Sequence, residues 1–388
     1  MAGNITTWDE LTDEGKRAIL EGDPDYKKIA KERKTTIAIL TQQKDWYDNQ
    51  PAYTGKGTVV GKDLGGTDPS LFTMESEQLT YIDAITEIID GIIENHNNQK
   101  SKDKTTNVTF HLIDDGKNKK LLVEEDSGGI EQKKLDSVVK LGSSGWGGLY
   151  GVGVFGIGLK KGLRKIAKKH HLFTWHESDP EPCEMEFSPE FWDNAGEMKI
   201  SSTTCQSPIM KNKKGSTIIH FRNLVEYDGQ KLEFNDPFVK QIAMYYHQWI
   251  SSVDGTLNIS FKQGDFPPIP LPIIDLFSEN KIKKEFTYHP GYEPRKFSLK
   301  MNGTPRKVKG VMTPSEIEII MTFGLTKVTP DTELAGVYVY GNDRFFHGPD
   351  RSAKWGFGLK TDWGKSGIPK YHSTTNRFRV KFDIYSEN

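Results

Sequence analysis

LGSSGWGGLYGVGVFGIGLKKG, residues 141–162, is the stretch on which the reading of this chain turns. Nine of the chain's 37 glycines lie between Gly142 and Gly162. Glycine admits backbone conformations closed to other residues and lets other atoms come close to the main chain. A loop built this way can turn its amides inward on an anion. The run leads into a basic helix predicted over Leu159–Lys169, whose free N-terminal amides also favour phosphate. Lys160 adds a full charge. The spacing is not the GxxxxGKS/T of one familiar phosphate loop. Nor is it a dinucleotide fingerprint, because it does not open a βαβ unit.

Upstream, VTFHLIDDGKNKKLLVEED (residues 108–126) predicts an alternating strand, a turn at Asp115–Gly116 and a second strand. That strand runs into Asp126, Gly128, Gly129 and Ile130. An acid at a strand end can accept a hydrogen bond from an exocyclic amine, while the glycines let a ring approach the backbone. Taken alone, the same residues also read as a plain turn.

Further upstream, Tyr81, Ile82, Ile85, Ile88, Ile89, Ile92 and Ile93 repeat at helical spacing and predict a helix over Ser76–Asn95. Its apolar face centres on Ile85, Ile89 and Ile92, with Glu87, Asp90 and Glu94 opposite. Asp90 and Glu94 read as a solvent face. Glu87 reads as a general base that orients and deprotonates water.

Downstream, HLFTWHE (171–177) and GSTIIHFRNL (215–224) read as strands. The pattern then restarts with a helix over Asp236–Ile250 and strands at 257–262, 296–302, 316–324 and 336–341. The expected organisation is an N-terminal helical extension and linker (1–72), a first domain (73–232) and a second (233–388). Residues 51–72 read as a connecting loop. YKKIAKERKTTIAIL (26–40) has a broken helical pattern that reads as an extension packed on the domain or a second subunit, with DNA reading the lesser alternative.

Composition narrows the classes. The net charge is −1, and hydrophobic residues make up 35% of the chain against 27% charged, a water-soluble balance. No apolar run is long enough to span a bilayer, and the first residues lack a secretory pattern. Two cysteines, Cys183 and Cys205, are too few for a disulfide framework or a thiolate metal site. A reducing, cytoplasmic setting is expected. Residues 344–381 hold nine Lys or Arg against Asp350 and Asp362, either a solvated surface or a contact for phosphate backbones.

Four segments in order, EIIDG (87–91), EDSGGI (125–130), YGVGVFGIGLKKG (150–162) and KGSTIIHF (214–221), resemble the motifs of the GHKL ATPases. That superfamily includes DNA gyrase B, MutL, the ninety-kilodalton heat-shock chaperones, histidine kinases and the MORC proteins. The resemblance implies an α+β fold: a Bergerat-type α/β sandwich that binds ATP, followed by a smaller α/β transducer-like domain. It implies Glu87 as catalytic base and Asp126 as adenine ligand, with Gly128 and Gly129 beside it. Gly153, Val154, Phe155, Gly156, Gly158 and Lys160 would form the lid and phosphate turn, and Thr217 would support the acid and the adenine. In the MORC, MutL and chaperone branch a transducer lysine reaches the γ-phosphate, and Lys327 is the candidate here. ATP and Mg²⁺ are the implied cofactors. A homodimer formed on ATP binding, clamping DNA or acting with a separate effector protein, is the implied assembly. A prokaryotic MORC-like ATPase is the nearest analogy, with a role in DNA transactions or phage defence. A chaperone-like ATPase acting on polypeptides is another reading.

Two departures accompany the resemblance. The usual Mg²⁺-binding Asn four residues after the base is Gly91 here, with Asn95 a poor substitute on the helical wheel, so the metal ligands are unknown. A nucleotide switch with little hydrolysis is the corresponding alternative. Counting back from Ile130 by the family spacing also lands on Glu125, which stands as the alternative adenine ligand.

Overall fold

Strands β2 (Thr106–Asp114) and β3 (Lys119–Glu125) form the hairpin that alternation predicts. They pair antiparallel from Val108 opposite Glu125 to Asp114 opposite Lys119. The computed structural model describes residues 58–60, 76, 78–98, 105–114, 119–135, 138, 158–187, 200–205, 207–226, 231–250, 256–274, 276, 279–280, 285–286, 293–303, 305–308, 311–313, 315–325, 335–355, 357 and 375–386. The rest of the first sheet comprises β1 (Thr58–Val60), β4 (Ala167–Trp175), β5 (Cys183–Phe187), β6 (Ile200–Thr204), β7 (Ser216–Leu224), β8 (Leu257–Gln263) and β9 (Ile269–Pro270). Its order is β1-β6-β5-β4-β7-β3-β2-β8-β9. All neighbours are antiparallel except β2 and β8.

Three helices supply the apolar layer over one face: α1 (Tyr81–Asn98), α2 (Gly158–Ile166) and α3 (Asp236–Tyr246). Ile85, Ile89 and Ile93 of α1 join Leu163 and Ile166 of α2 and Val239, Ile242 and Tyr246 of α3. Beneath them lie Phe110, Leu121, Val123, Leu172, Phe221 and Phe261, one residue in two along their strands. The opposite register, Phe173 and Ile218, faces a smaller cluster with Cys205, Ile209 and Met210. Helix α3 starts cleanly because the Asn235 side chain accepts the Phe238 amide and Pro237 occupies the first turn.

Short hairpins β10–β11 (Glu279–Asn280, Glu285–Phe286) and β13–β14 (Arg306–Val308, Val311–Thr313) flank the second sheet. That sheet holds β12 (Arg295–Asn302), β15 (Glu316–Leu325), β16 (Gly336–Gly341), β17 (Arg344–Asp350) and β18 (Phe378–Ser386), in the order β12-β15-β18-β16-β17. The architecture is therefore mixed α+β with two sheets.

Three expectations change. Part of the predicted 51–72 loop, Thr58–Val60, is an edge strand on β6. Strand β4 begins at Ala167, directly after α2, so the predicted helix to Lys169 stops three residues early. The boundary expected at 232/233 does not coincide with the break between sheets. Helix α3 lies in the first core, and β8 pairs with β2. The helical reading of 26–40 lies outside the described residues.

Candidate functional site

The two acids at the end of β3 face different ways. Leu121, Val123 and Glu125 share the buried register of the strand, and the next residue turns outward. Glu125 is buried, accepts the Ser127 amide and is hydrogen-bonded by the Ser127 and Thr217 hydroxyls. Its pairing partner across the ladder is Thr217 itself. Burial raises the Glu125 carboxyl above the usual range, and those hydrogen bonds oppose the rise. Asp126 instead binds Asn107: the Asn107 amide donates to one carboxylate oxygen at 2.7 Å and its side-chain nitrogen to the other at 2.8 Å.

The glycines after these acids are fixed by close backbone contacts. Gly128 donates to the Gly215 carbonyl at 2.9 Å, and Gly215 donates to Trp175 at 2.6 Å. Gly129 has φ +73°, and a Cβ there would sit 2.5 Å from the Trp175 carbonyl oxygen; only glycine fits. Thr174 adds a hydroxyl that accepts the Ile130 amide at 2.7 Å and lies 3.1 Å from the Thr217 hydroxyl. Asn95 of α1 closes the set, its side-chain nitrogen donating to Ser127 Oγ at 2.6 Å and to the Gly129 carbonyl at 3.2 Å. Asn95 thus holds the acidic turn in place. Sequence reading missed the parts played by Thr174 and Ser127. The signal for Thr174 was alternation, since it shares one register of β4 with Leu172.

Helices α1 and α2 meet through small residues. A Cβ on Gly162 would lie 2.8 Å from the Ala84 carbonyl oxygen and 3.1 Å from Glu87 Cβ, while Leu159 covers Gly91. The Glu87 carboxylate lies against Gly158, where a Cβ would overlap Oε2 at 1.7 Å. Glu87 is therefore half-buried at the start of α2, where the glycine run ends. Desolvation raises its carboxyl above the ordinary 4.5, partly offset by Arg344 and Lys161 and reinforced by Asp83. Two turns on, burial pushes Glu94 up to about 7, with Lys160 pulling it down. Burial lowers Lys160 to about 8, with Glu94 pulling it up.

The expected solvent face of α1 is not one. Asp90 is buried, and it accepts from the Tyr246 hydroxyl of α3 at 2.7 Å. Arg344, the first residue of β17, donates to it through Nε at 3.0 Å and approaches through a terminal nitrogen at 2.7 Å. The residue is aimed by a two-residue hairpin turn, Asn342-Asp343, both with positive φ. Helical periodicity alone placed Asp90 opposite the apolar stripe. Another helix and a strand cover that side.

The remaining expected residues divide. Gly158, Lys160, Thr217, Gly128 and Gly129 lie in described elements around α1 and β3. Gly153, Val154, Phe155, Gly156 and Lys327 lie outside the described residues. Among the described residues no three His, Cys, Asp or Glu side chains are grouped to hold a metal ion. No described helix is long and apolar enough to cross a membrane.

Five of the cations in the run 344–381 that lie among the described residues have partners within the chain. Arg344 binds Asp90, Arg351 the Ala335 carbonyl and Asn376, Lys354 Asp350, and Lys381 Asp383. Arg379 is buried and donates to the Asn376 and Phe378 carbonyls.

No protein-family model matches the chain, and no curated protein matches it.

Proposed function

We propose that the chain binds ATP in a Bergerat-type site and hydrolyses it, with Glu125 as the adenine ligand and Glu87 as general base. The observation that carries this reading is the pair formed by a buried acid and a threonine across neighbouring strands, Glu125 and Thr217. A half-buried Glu87 stands at the end of the glycine run on the adjoining helix. An acceptor held by hydroxyls at the floor of a site suits an exocyclic amine, and glycines beside it leave room for a ring. Glu87 then takes a proton from water as the water oxygen attacks the γ-phosphorus. The bond to the β–γ bridging oxygen breaks, giving ADP and inorganic phosphate. Gly91 offers no side-chain oxygen to Mg²⁺, and the Asn95 side-chain nitrogen is spent on Ser127 and Gly129, which leaves its amide oxygen as the one side-chain oxygen the asparagine could offer. Closure over ATP coupled to pairing of two copies completes the proposal.

ATP binding by calorimetry and phosphate release, measured for wild type and Glu87→Ala, test the reading. Binding by both, with release lost in the variant, supports it. Absence of ATP binding in the wild type overturns it. Gly91 favours one second reading, a nucleotide-binding switch with little turnover. It is supported if wild type binds ATP without release and Gly91→Asn gains release.

A further inference from the structure

The second sheet reaches α1 through Arg344, and the contact falls one turn from Glu87 on the same helix. The guanidinium presents two nitrogens to the Asp90 carboxylate, at 3.0 and 2.7 Å. The single Tyr246 O–H is shared between the same carboxylate at 2.7 Å and the Thr86 carbonyl at 2.8 Å, fixing Asp90 from α3. Tyr245 lies beneath the guanidinium, with 6.0 Å from its carbon to the ring centre. Of its neighbours, Asp90 and Tyr246 are buried.

We propose that Arg344 is a positioning residue for Glu87: delivered by the second sheet and clamped on Asp90, it makes the chemistry at Glu87 depend on how that sheet sits against α1. The proposal rests on the reading of Glu87 as general base. A forked donor held by a carboxylate and a tyrosine is placed far more firmly than a surface cation. The charges facing Glu87 are Arg344 from β17, Lys161 from α2, and Asp83 and Asp90 from its own helix. Those facing Asp90 are Arg344, Tyr246 and Glu87. Of the two cations facing Glu87, Arg344 alone comes from outside the first sheet and its helices. A shift of the second sheet therefore changes the field at Glu87 while leaving the first sheet and α1 intact.

The same second sheet is tied to the end of α3 at a separate place. His247 and the Tyr340 hydroxyl are 2.6 Å apart, and Gln248 donates to Asp383 at 2.9 Å. Loss of Arg344 thus leaves other links between the sheets in place, so its effect on Glu87 can be read apart from detachment of the sheet.

The test is the pH profile of ATP hydrolysis by wild type, Arg344→Gln and Arg344→Lys, with ATP affinity measured alongside. A base is active when deprotonated, so the rate rises with pH through the Glu87 ionisation. Removing a nearby cation moves that limb to higher pH by about one unit. The expected result for Arg344→Gln is such a shift, with kcat at low pH reduced about tenfold and KM for ATP changed less than about threefold. Arg344→Lys restores most of the limb because it keeps the charge. An unmoved limb in Arg344→Gln, or equal losses in the Gln and Lys variants, overturns the proposal. If Arg344→Gln fails to fold, Lys161→Gln supplies a reference for removing a cation near Glu87 while the Asp90 clamp is kept. Arg344→Lys must then show a smaller displacement than Lys161→Gln, and an equal or larger one overturns the proposal. A wild type that binds ATP but shows no Glu87-dependent release overturns the base reading itself, which the binding and release data separate from failure of the Arg344 proposal.

Discussion

Glu125 ends β3 directly opposite Thr217 of β7, and the threonine hydroxyl bonds the buried carboxylate. The next residue, Asp126, spends both its carboxylate oxygens on Asn107. Neighbouring acids in one strand end are thus separated by the pleat into an inward acceptor and an outward clamp.

If the chain binds ATP as proposed, that separation makes Glu125 and Asp126 separable by mutation. Glu125→Ala is expected to weaken ATP binding by about 10- to 100-fold, the loss of one hydrogen bond to a charged group. Asp126→Asn is expected to leave affinity within about threefold and to lower stability by about 1 kcal/mol through the Asn107 clamp. Calorimetric titration of ATP against both variants checks the order. A larger affinity loss at Asp126 than at Glu125 would reverse the assignment.

The α1–α2 contact predicts opposite effects at two glycines. Gly162→Ala puts a Cβ 2.8 Å from the backbone oxygen of Ala84. The helices must separate, with an expected loss of about 1–3 kcal/mol. At Gly91 the nearest atoms are the Leu159 methyls at 3.6 Å, ordinary contact. Gly91→Ala therefore gains helix propensity, up to about 1 kcal/mol. Urea denaturation of the two variants gives both signs, and a destabilised Gly91→Ala would count against this packing.

Glu94 and Lys160 predict a pH signature of stability. The folded Glu94 carboxyl titrates at about 7, above its ordinary 4.5. Its contribution is fully present below the unfolded value and is lost as pH rises through about 7. Lys160, lowered to about 8 from 10.5, behaves oppositely. Its contribution is present above the unfolded value and lost as pH falls through about 8. In Glu94→Gln the decline between 4.5 and 7 is expected to flatten, and the lysine's window to move below 8, since the charge holding it up is gone. Denaturation midpoints from pH 4 to 9 report both changes, and curves that superimpose with wild type would refute the pairing.

The elements near the site were legible because local patterns specify them. The isoleucine stripe of α1 and the alternation of β2 and β3 record which face each element buries. Alternation in Leu121, Val123 and Glu125 even marks the inward acid. Local pattern thus suffices for the helix bearing Glu87, the hairpin bearing Glu125 and the glycine run that leads into α2. The polar side of α1 depends instead on contacts from distant parts of the chain. Asp90 lies opposite the apolar stripe, where periodicity reads solvent. It is buried because Tyr246 of α3 and Arg344, 254 residues along the chain, close over it. Periodicity reports which side of a helix is apolar. It carries no information about a partner charge that arrives from a distant strand and makes burial of a carboxylate tolerable.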